Sequence, residues 1–266
     1  MGLVLNYEEA KLCEVKIIGN KAYNLLKLYP QYLIPRGVVV PINVTRGIID
    51  GRILAKDVVR KIIESLDFNV FAVRSSTCVE DSKDYSFAGQ FVTHCGVPVA
   101  DLENACIKVI ESAKRKNMKP YRDIAGATST DIGVLVQEML PCRVAGIMFT
   151  KNPINQRNDQ VIIEAAFGLG EYIVSGRVIP DHIECIKKNK KYKYSLGNQT
   201  SGLFLEDRKL VDKAVINEVP ILNPEEVMEL LGIGIDIEKD FKFPQDIEWG
   251  IVDNKVYILQ SRPITT

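Results

Sequence analysis

Two stretches at the end of the chain constrain it most. Residues 246–252, Asp-Ile-Glu-Trp-Gly-Ile-Val, and 256–262, Val-Tyr-Ile-Leu-Gln-Ser-Arg, read as adjacent strands. Side chains alternate between the faces of a strand, so Asp246 and Glu248 share one face, with Ile247 and Trp249 on the other. In the second strand Gln260 and Arg262 share a face. If the two polar faces match, carboxylate and amide oxygens of the kind Mg²⁺ takes converge beside a guanidinium suited to phosphate. A surface hairpin with cross-strand ion pairs is equally compatible with the pattern. A two-residue Asp253-Asn254 loop would set Glu248 opposite Leu259, with Gln260 facing away. The metal reading therefore predicts a three-residue loop or a bulge between Val252 and Val256.

The rest of the chain mixes helical and strand signals. Apolar spacing predicts helices over 20–29, 58–66 and 102–115. A fourth starts at Asn223-Pro224-Glu225-Glu226, with a capping Asn and Pro at the first helical position, and runs to about Lys239. Strands are predicted over 37–40, 70–73, 134–139, 144–149 and 161–166. A polar stretch over 126–130 marks a lobe boundary, and the basic run 187–193 reads as a solvated hairpin tip.

Lys plus Arg equals Asp plus Glu, 34 of each in 266 residues, so no basic excess points to nucleic acid. No signal pattern or membrane-length apolar run occurs, and a cytoplasmic location is expected. Six cysteines without a C-x-x-C pair read as reduced structural thiols. With only two histidines, His94 and His182, little His-based chemistry is available.

The Walker A, dinucleotide, zinc-protease, nucleophile-elbow and protein-kinase motifs are all missing. Two further groupings can bind anions. Strand 70–73 delivers Arg74 beside Ser75, Ser76 and Thr77. The small residues of Ser86-Phe-Ala88-Gly89-Gln90 would let a backbone approach a phosphate. Alone, Arg74 fits equally well a pairing with Glu80 or Asp81. Lys21, in Gly19-Asn20-Lys21, falls at a helix N-terminus that favours anions, a position also suited to an ordinary surface lysine.

Taken in order, these segments resemble the N-terminal nucleotide-binding domain of the phosphoenolpyruvate synthase and pyruvate phosphate dikinase family, whose domain type also serves drug phosphotransferases. The resemblance is carried by Gly19-Asn-Lys21-Ala-Tyr-Asn-Leu, Ile34-Pro-Arg-Gly-Val-Val-Val, Phe71-Ala-Val-Arg-Ser-Ser, Glu80-Asp81, Ser86-Phe-Ala-Gly-Gln, Val136-Gln-Glu-Met, Ala145-Gly-Ile-Met-Phe-Thr, Phe167-Gly-Leu-Gly-Glu, Pro180-Asp181, Pro244-Gln-Asp-Ile-Glu-Trp and Ile258-Leu-Gln-Ser-Arg-Pro-Ile-Thr.

The resemblance implies an α+β, ATP-grasp-like fold. It has two lobes with mixed or antiparallel sheets and flanking helices, and ATP is held between them. The lobes are expected over about 1–125, open to being discontinuous, and 126–266, which carries the hairpin. Lys21 and Arg74 match the family's phosphate-binding residues. Glu248 and Gln260 match its magnesium pair, with Asp246 and Arg262 at two further active-site positions. Gln137, Glu138 and Met139 fall where a strand meets adenine, Ser86 and Gly89 in the loop over the phosphates, and 168–171 in a segment of structural role.

Asn20 stands where the family often has Gly, and Thr77-Cys-Val where it often has Ala-Thr-Ala. Neither histidine matches the family's phosphohistidine, so the expected partner is a separate polypeptide carrying the phosphohistidine and phosphoenolpyruvate/pyruvate domains. The expectation is an ATP- and Mg²⁺-dependent phosphotransferase of the pyruvate, water dikinase type. A non-catalytic nucleotide-binding subunit and a small-molecule phosphotransferase are the alternatives.

Overall fold

A computed structural model describes residues 2–78, 92–112 and 131–264. The chain divides into two compact units. One comprises Met1–Pro30 and Pro35–Met139, the other Gln31–Ile34 and Leu140–Thr266. The division falls after Met139 rather than in the polar stretch 126–130, because strand Ile132–Glu138 is a central strand of the first unit's sheet.

The first unit comprises β1 (Leu5–Asn6), α1 (Tyr7–Ala10), α2 (Val15–Ile18), α3 (Asn20–Lys27), β2 (Gly37–Val40), α4 (Ile42–Ile49), α5 (Ala55–Ser65), β3 (Val70–Thr77), β4 (Thr93–Pro98), α6 (Leu102–Ser112) and β5 (Ile132–Glu138). Its five strands run β1-β2-β5-β3-β4, antiparallel at every pairing. Strand β3 does not stop at Val73. It continues to Thr77 because β5 offers a partner at each step, from Arg74↔Leu135 to Thr77↔Ile132.

Alternation sorts this sheet into two faces. Val38, Phe71, Val73, Val134 and Val136 form one core with Val58, Val59 and Ile62 of α5 and Leu102, Val109 and Ile110 of α6. Ala72, Arg74 and Ser76 of β3 therefore point to the opposite face, where α3 docks through Ala22 and Ser76.

The second unit comprises β6 (Val144–Phe149), β7 (Gln160–Phe167), α7 (Glu171–Val174), β8 (Asp181–Ile186), β9 (Tyr192–Ser195), β10 (Ser201–Glu206), β11 (Lys209–Ala214), α8 (Pro224–Phe241), β12 (Gln245–Val252) and β13 (Lys255–Pro263). Six strands form one antiparallel sheet in the order β13-β12-β6-β7-β8-β9, and β10 and β11 make a separate hairpin. Among the described residues the one parallel bridge is Gly168↔Leu203. The α+β class expected from the sequence is the class observed.

Helix α8 begins as expected. Asn223 Oδ1 accepts from Glu226 N–H at 2.9 Å, and Glu226 Oε2 accepts from Asn223 N–H at 3.0 Å. It ends at Lys242 in the left-handed region, φ 65°. Met148, Ile163, Ile183, Ile247 and Trp249 are fully buried on one sheet face. Gly146 pairs with Trp249, and a Cβ there would lie 2.5 Å from the indole, so the glycine gives the ring its place. The basic run falls at the β8–β9 turn, with Lys187 paired to Glu238 of α8. No helix among the described residues is long and apolar enough to cross a membrane.

Candidate functional site

The first unit gathers its candidate residues on the face that carries Arg74. Gly19, with φ 78°, turns the chain from α2 into α3. Lys21 follows in the first turn of α3 and is 6 % exposed, so it is not an ordinary surface lysine. Arg74 lies two residues before Ser76, on the same strand face. Gln137 and Tyr7 adjoin it. Gln137 pairs with Ala72, and its Nε2 donates to the Tyr7 hydroxyl at 3.3 Å. Tyr7 in turn donates to Pro35 C=O at 2.9 Å. Burial pushes the Tyr7 phenol well above its usual range, against the opposing effects of the Gln137 hydrogen bond and the Arg74 charge.

The segment expected to meet adenine has commitments of its own. Both oxygens of Glu138 accept from Arg36, at 3.0 and 3.2 Å. The N–H groups of Glu138 and Met139 donate to Arg36 C=O at 2.8 Å and Val70 C=O at 3.0 Å. The Gln137 and Glu138 side chains thus serve the first unit's own structure. Glu80, Asp81, Ser86 and Gly89 lie outside the described residues.

In the second unit the terminal hairpin joins the predicted residues. Glu248 pairs with Gln260, and Asp246 with Arg262. The loop is the two-residue Asp253-Asn254, both at positive φ (48° and 59°). Near this turn Val252↔Lys255 and Trp249↔Ile258 keep the short-loop register, and the shift comes between Glu248 and Trp249. Leu259 is the extra residue. The bulge therefore lies in β13 beyond Ile258, not between Val252 and Val256 as expected, because the tight turn fixes the strands nearest it. Below the bulge the polar faces match.

Arg262 donates through Nε to Asp246 Oδ2 at 2.8 Å, and its Nη2 lies 2.7 Å from the same oxygen. Gln260 is 4 % exposed and Glu248 half-buried. Glu248 also pairs with Ile147, which continues the row to Glu164 of β7 and His182 of β8. His182 lies 3.8 Å from Glu164 through Nδ1 and 3.7 Å from Glu184 through Nε2. The Glu164 carboxylate beside it raises its pKa above 6.5, outweighing burial. The sequence reading missed Glu164 and Glu184. Their signal was alternation along β7 and β8, legible only once strand order is known.

Two further motif segments make close internal contacts. Gly168, φ 73°, passes so close to Leu203 that a Cβ would fall 2.0 Å from its carbonyl oxygen. Asp181, fully buried, accepts from the Tyr194 hydroxyl at 2.6 Å, Gly197 N–H at 2.8 Å and Ile221 N–H at 3.3 Å.

Among the described residues no group of three or more His, Cys, Asp or Glu side chains is arranged to hold a metal ion. Magnesium that keeps water and phosphate ligands needs fewer protein ligands, and one carboxylate with one amide oxygen on one sheet face meets that need. Glu248 and Gln260 fit such an ion. One oxygen of Asp246 is occupied by Arg262.

Residues 54–266 match the family described as the pyruvate phosphate dikinase AMP/ATP-binding domain, and the chain belongs to that family. Lys21 precedes the matched span. The chain is similar to probable phosphoenolpyruvate synthases of Methanocaldococcus jannaschii (37 % identical over 206 residues, 73 % of this chain and 17 % of that protein) and Archaeoglobus fulgidus (38 % over 221 residues, 78 % and 28 %). It is also similar to a rifampicin phosphotransferase of Streptomyces sp (33 % over 206 residues, 74 % and 24 %). The chain thus spans well under a third of the length of these relatives. A biotin carboxylase structure from Campylobacter jejuni aligns over 98 % of this chain and 46 % of its own, at 12 % identity and TM-score 0.42, too low to bear on the fold.

Proposed function

We propose that this chain is the Mg–ATP-binding domain of a phosphoenolpyruvate-synthase-type enzyme and donates a phosphoryl group from ATP to a histidine outside these residues. The observation that carries the reading is the bulged hairpin, which sets Glu248 opposite Gln260 and Asp246 opposite Arg262 on one face. In this reading Lys21, Arg74 and Arg262 bind phosphate oxygens, and Glu248 and Gln260 hold magnesium. Asp246 orients Arg262, its Oδ2 accepting from Nε and lying beside Nη2. Bound magnesium offsets phosphate charge in the transition state. The protein's own part is positioning and charge neutralisation, which dominate phosphoryl transfer. None of these side chains is the nucleophile. The whole enzyme's reaction is pyruvate, ATP and water giving phosphoenolpyruvate, AMP and phosphate.

Calorimetry tests the binding. Mg–ATP should bind with micromolar-range affinity, about −8 kcal/mol. Lys21→Ala and Arg74→Ala should each remove a charge-assisted contact of roughly 1.5–3 kcal/mol, and Glu248→Ala should abolish the magnesium dependence. Absence of binding up to millimolar ATP would refute the assignment.

A further inference from the structure

The turn that opens α3 is held by one side chain of β3. Ser76 is fully buried. Its hydroxyl donates to Ile18 C=O at 2.7 Å and accepts from Ala22 N–H at 3.0 Å. One group therefore bridges the last residue of α2 and the third residue of α3. Gly19 passes beneath that bridge. A Cβ there would fall 2.2 Å from the Ser76 carbonyl oxygen and 2.4 Å from its hydroxyl, so this approach is open only to glycine. Asn20 adds a second tie, its Nδ2 donating to Cys78 C=O at 2.6 Å. From the other side Ile18 lies against β5, where a Cβ on Gly133 would come within 3.0 Å of its carbonyl oxygen.

Lys21 lies between the two tied residues. Lysine is a point charge on a flexible four-carbon stem, with no planar fork to orient it. Where it aims depends on where its backbone is fixed, and Asn20 and Ala22 fix it on either side. The bridge also sets α3 on the face that carries Arg74.

We propose that Ser76 is a positioning residue for Lys21. By joining Ile18 C=O to Ala22 N–H it sets the backbone from which the Lys21 ammonium reaches an anion, here a nucleotide phosphate. The proposal rests on the reading of Lys21 as a phosphate contact given above. Ser76 acts through geometry alone, and no proton leaves its hydroxyl.

A double-mutant cycle on the full 266-residue chain, read by calorimetry with Mg–ATP, tests it. Lys21→Ala should weaken Mg–ATP about tenfold or more, and Ser76→Ala about fivefold. In the Lys21→Ala background, Ser76→Ala should add less than about twofold, because a residue that acts through Lys21 has nothing left to act on. Ser76→Cys, which keeps a weak donor and acceptor, should fall between wild type and Ser76→Ala. Equal weakening in both backgrounds, or no weakening at all, overturns the proposal and leaves Lys21 as a phosphate contact. If Lys21→Ala leaves Mg–ATP affinity unchanged, the reading of Lys21 fails and the proposal with it. If Ser76→Ala does not fold, Ser76→Cys is carried through the same cycle and judged by the same criteria.

Discussion

His182 lies between two carboxylates, and that arrangement decides what its imidazole does. Glu164 and Glu184 flank its two nitrogens at 3.8 and 3.7 Å. The neighbouring Glu164 carboxylate favours the protonated ring most, the charge of Glu184 adds to it, and burial and the Lys193 charge oppose it. The folded pKa is therefore above the unfolded value, and the folded state binds this proton more tightly. The stability gained is fully present below about pH 6.5 and is lost as pH rises through the folded pKa. Replacing His182 by Ala should lower the Tm most at about pH 5.5 and least at about pH 9, in thermal melts of both proteins. A destabilisation that grew toward alkaline pH would contradict the sign. Burial dominates the three buried cysteines: Cys106, Cys142 and Cys185 have their thiols pushed up to about 12, chiefly by loss of solvent, and are inert near neutrality.

The element that matters most is β13, and its extra residue makes a sharp test. Leu259 lies between Ile258, paired with Trp249, and Gln260, paired with Glu248. Deleting Leu259 removes the bulge but leaves Gln260 opposite Glu248 and Arg262 opposite Asp246. Deleting Ser261 cannot be absorbed so. If the bulge stays, Arg262 moves opposite Ile247 and is driven into the core face. If the bulge closes, Gln260 moves opposite Ile247 and Glu248 loses its partner. Mg–ATP affinity should therefore survive loss of Leu259 within about tenfold and vanish with loss of Ser261, a contrast of more than about 2 kcal/mol. Equal losses in calorimetry would mean the register carries no function. On α8, Asn223→Ala breaks the reciprocal cap with Glu226, and denaturant melts should lose about 1 kcal/mol without a change in nucleotide affinity.

These elements also mark what the sequence could reveal. The α8 cap and the facing of Glu248 and Gln260 were legible because each rests on contacts within a few residues or one strand pair. The tight Asp253-Asn254 turn, by contrast, stands where a longer loop or a bulge was expected. The bulge position was not legible, because the tight turn holds the strands in register as far as Trp249↔Ile258 and the irregularity falls only beyond that pair. The extension of β3 to Thr77 was hidden because those residues pair with β5, more than fifty residues away along the chain. Glu164 became a neighbour of the hairpin's face only through the strand order β12-β6-β7.

At the scale of the whole chain the proposed function makes a claim about where the phosphoryl group goes. The chain has two histidines. His182 is part of β8, where it pairs with Glu164 of β7 and Ser195 of β9, so its backbone is held inside a sheet. His94 is part of β4, where it pairs with Val73, so its backbone is fixed in a sheet. In the proposed function Lys21, Arg74, Glu248, Gln260 and Arg262 bind phosphate and magnesium, and none of them is the nucleophile. Incubated with Mg–ATP carrying labelled phosphate, the chain should bind nucleotide yet take up no acid-labile label, and turnover should be slow. Adding a phosphohistidine domain from a related phosphoenolpyruvate synthase should move the label onto that domain. The transfer should fail with Glu248→Ala, which removes a proposed magnesium ligand, and persist with His94→Ala and His182→Ala. Stoichiometric labelling of the chain alone, lost in either histidine variant, would instead make that histidine the acceptor and this domain a self-phosphorylating one.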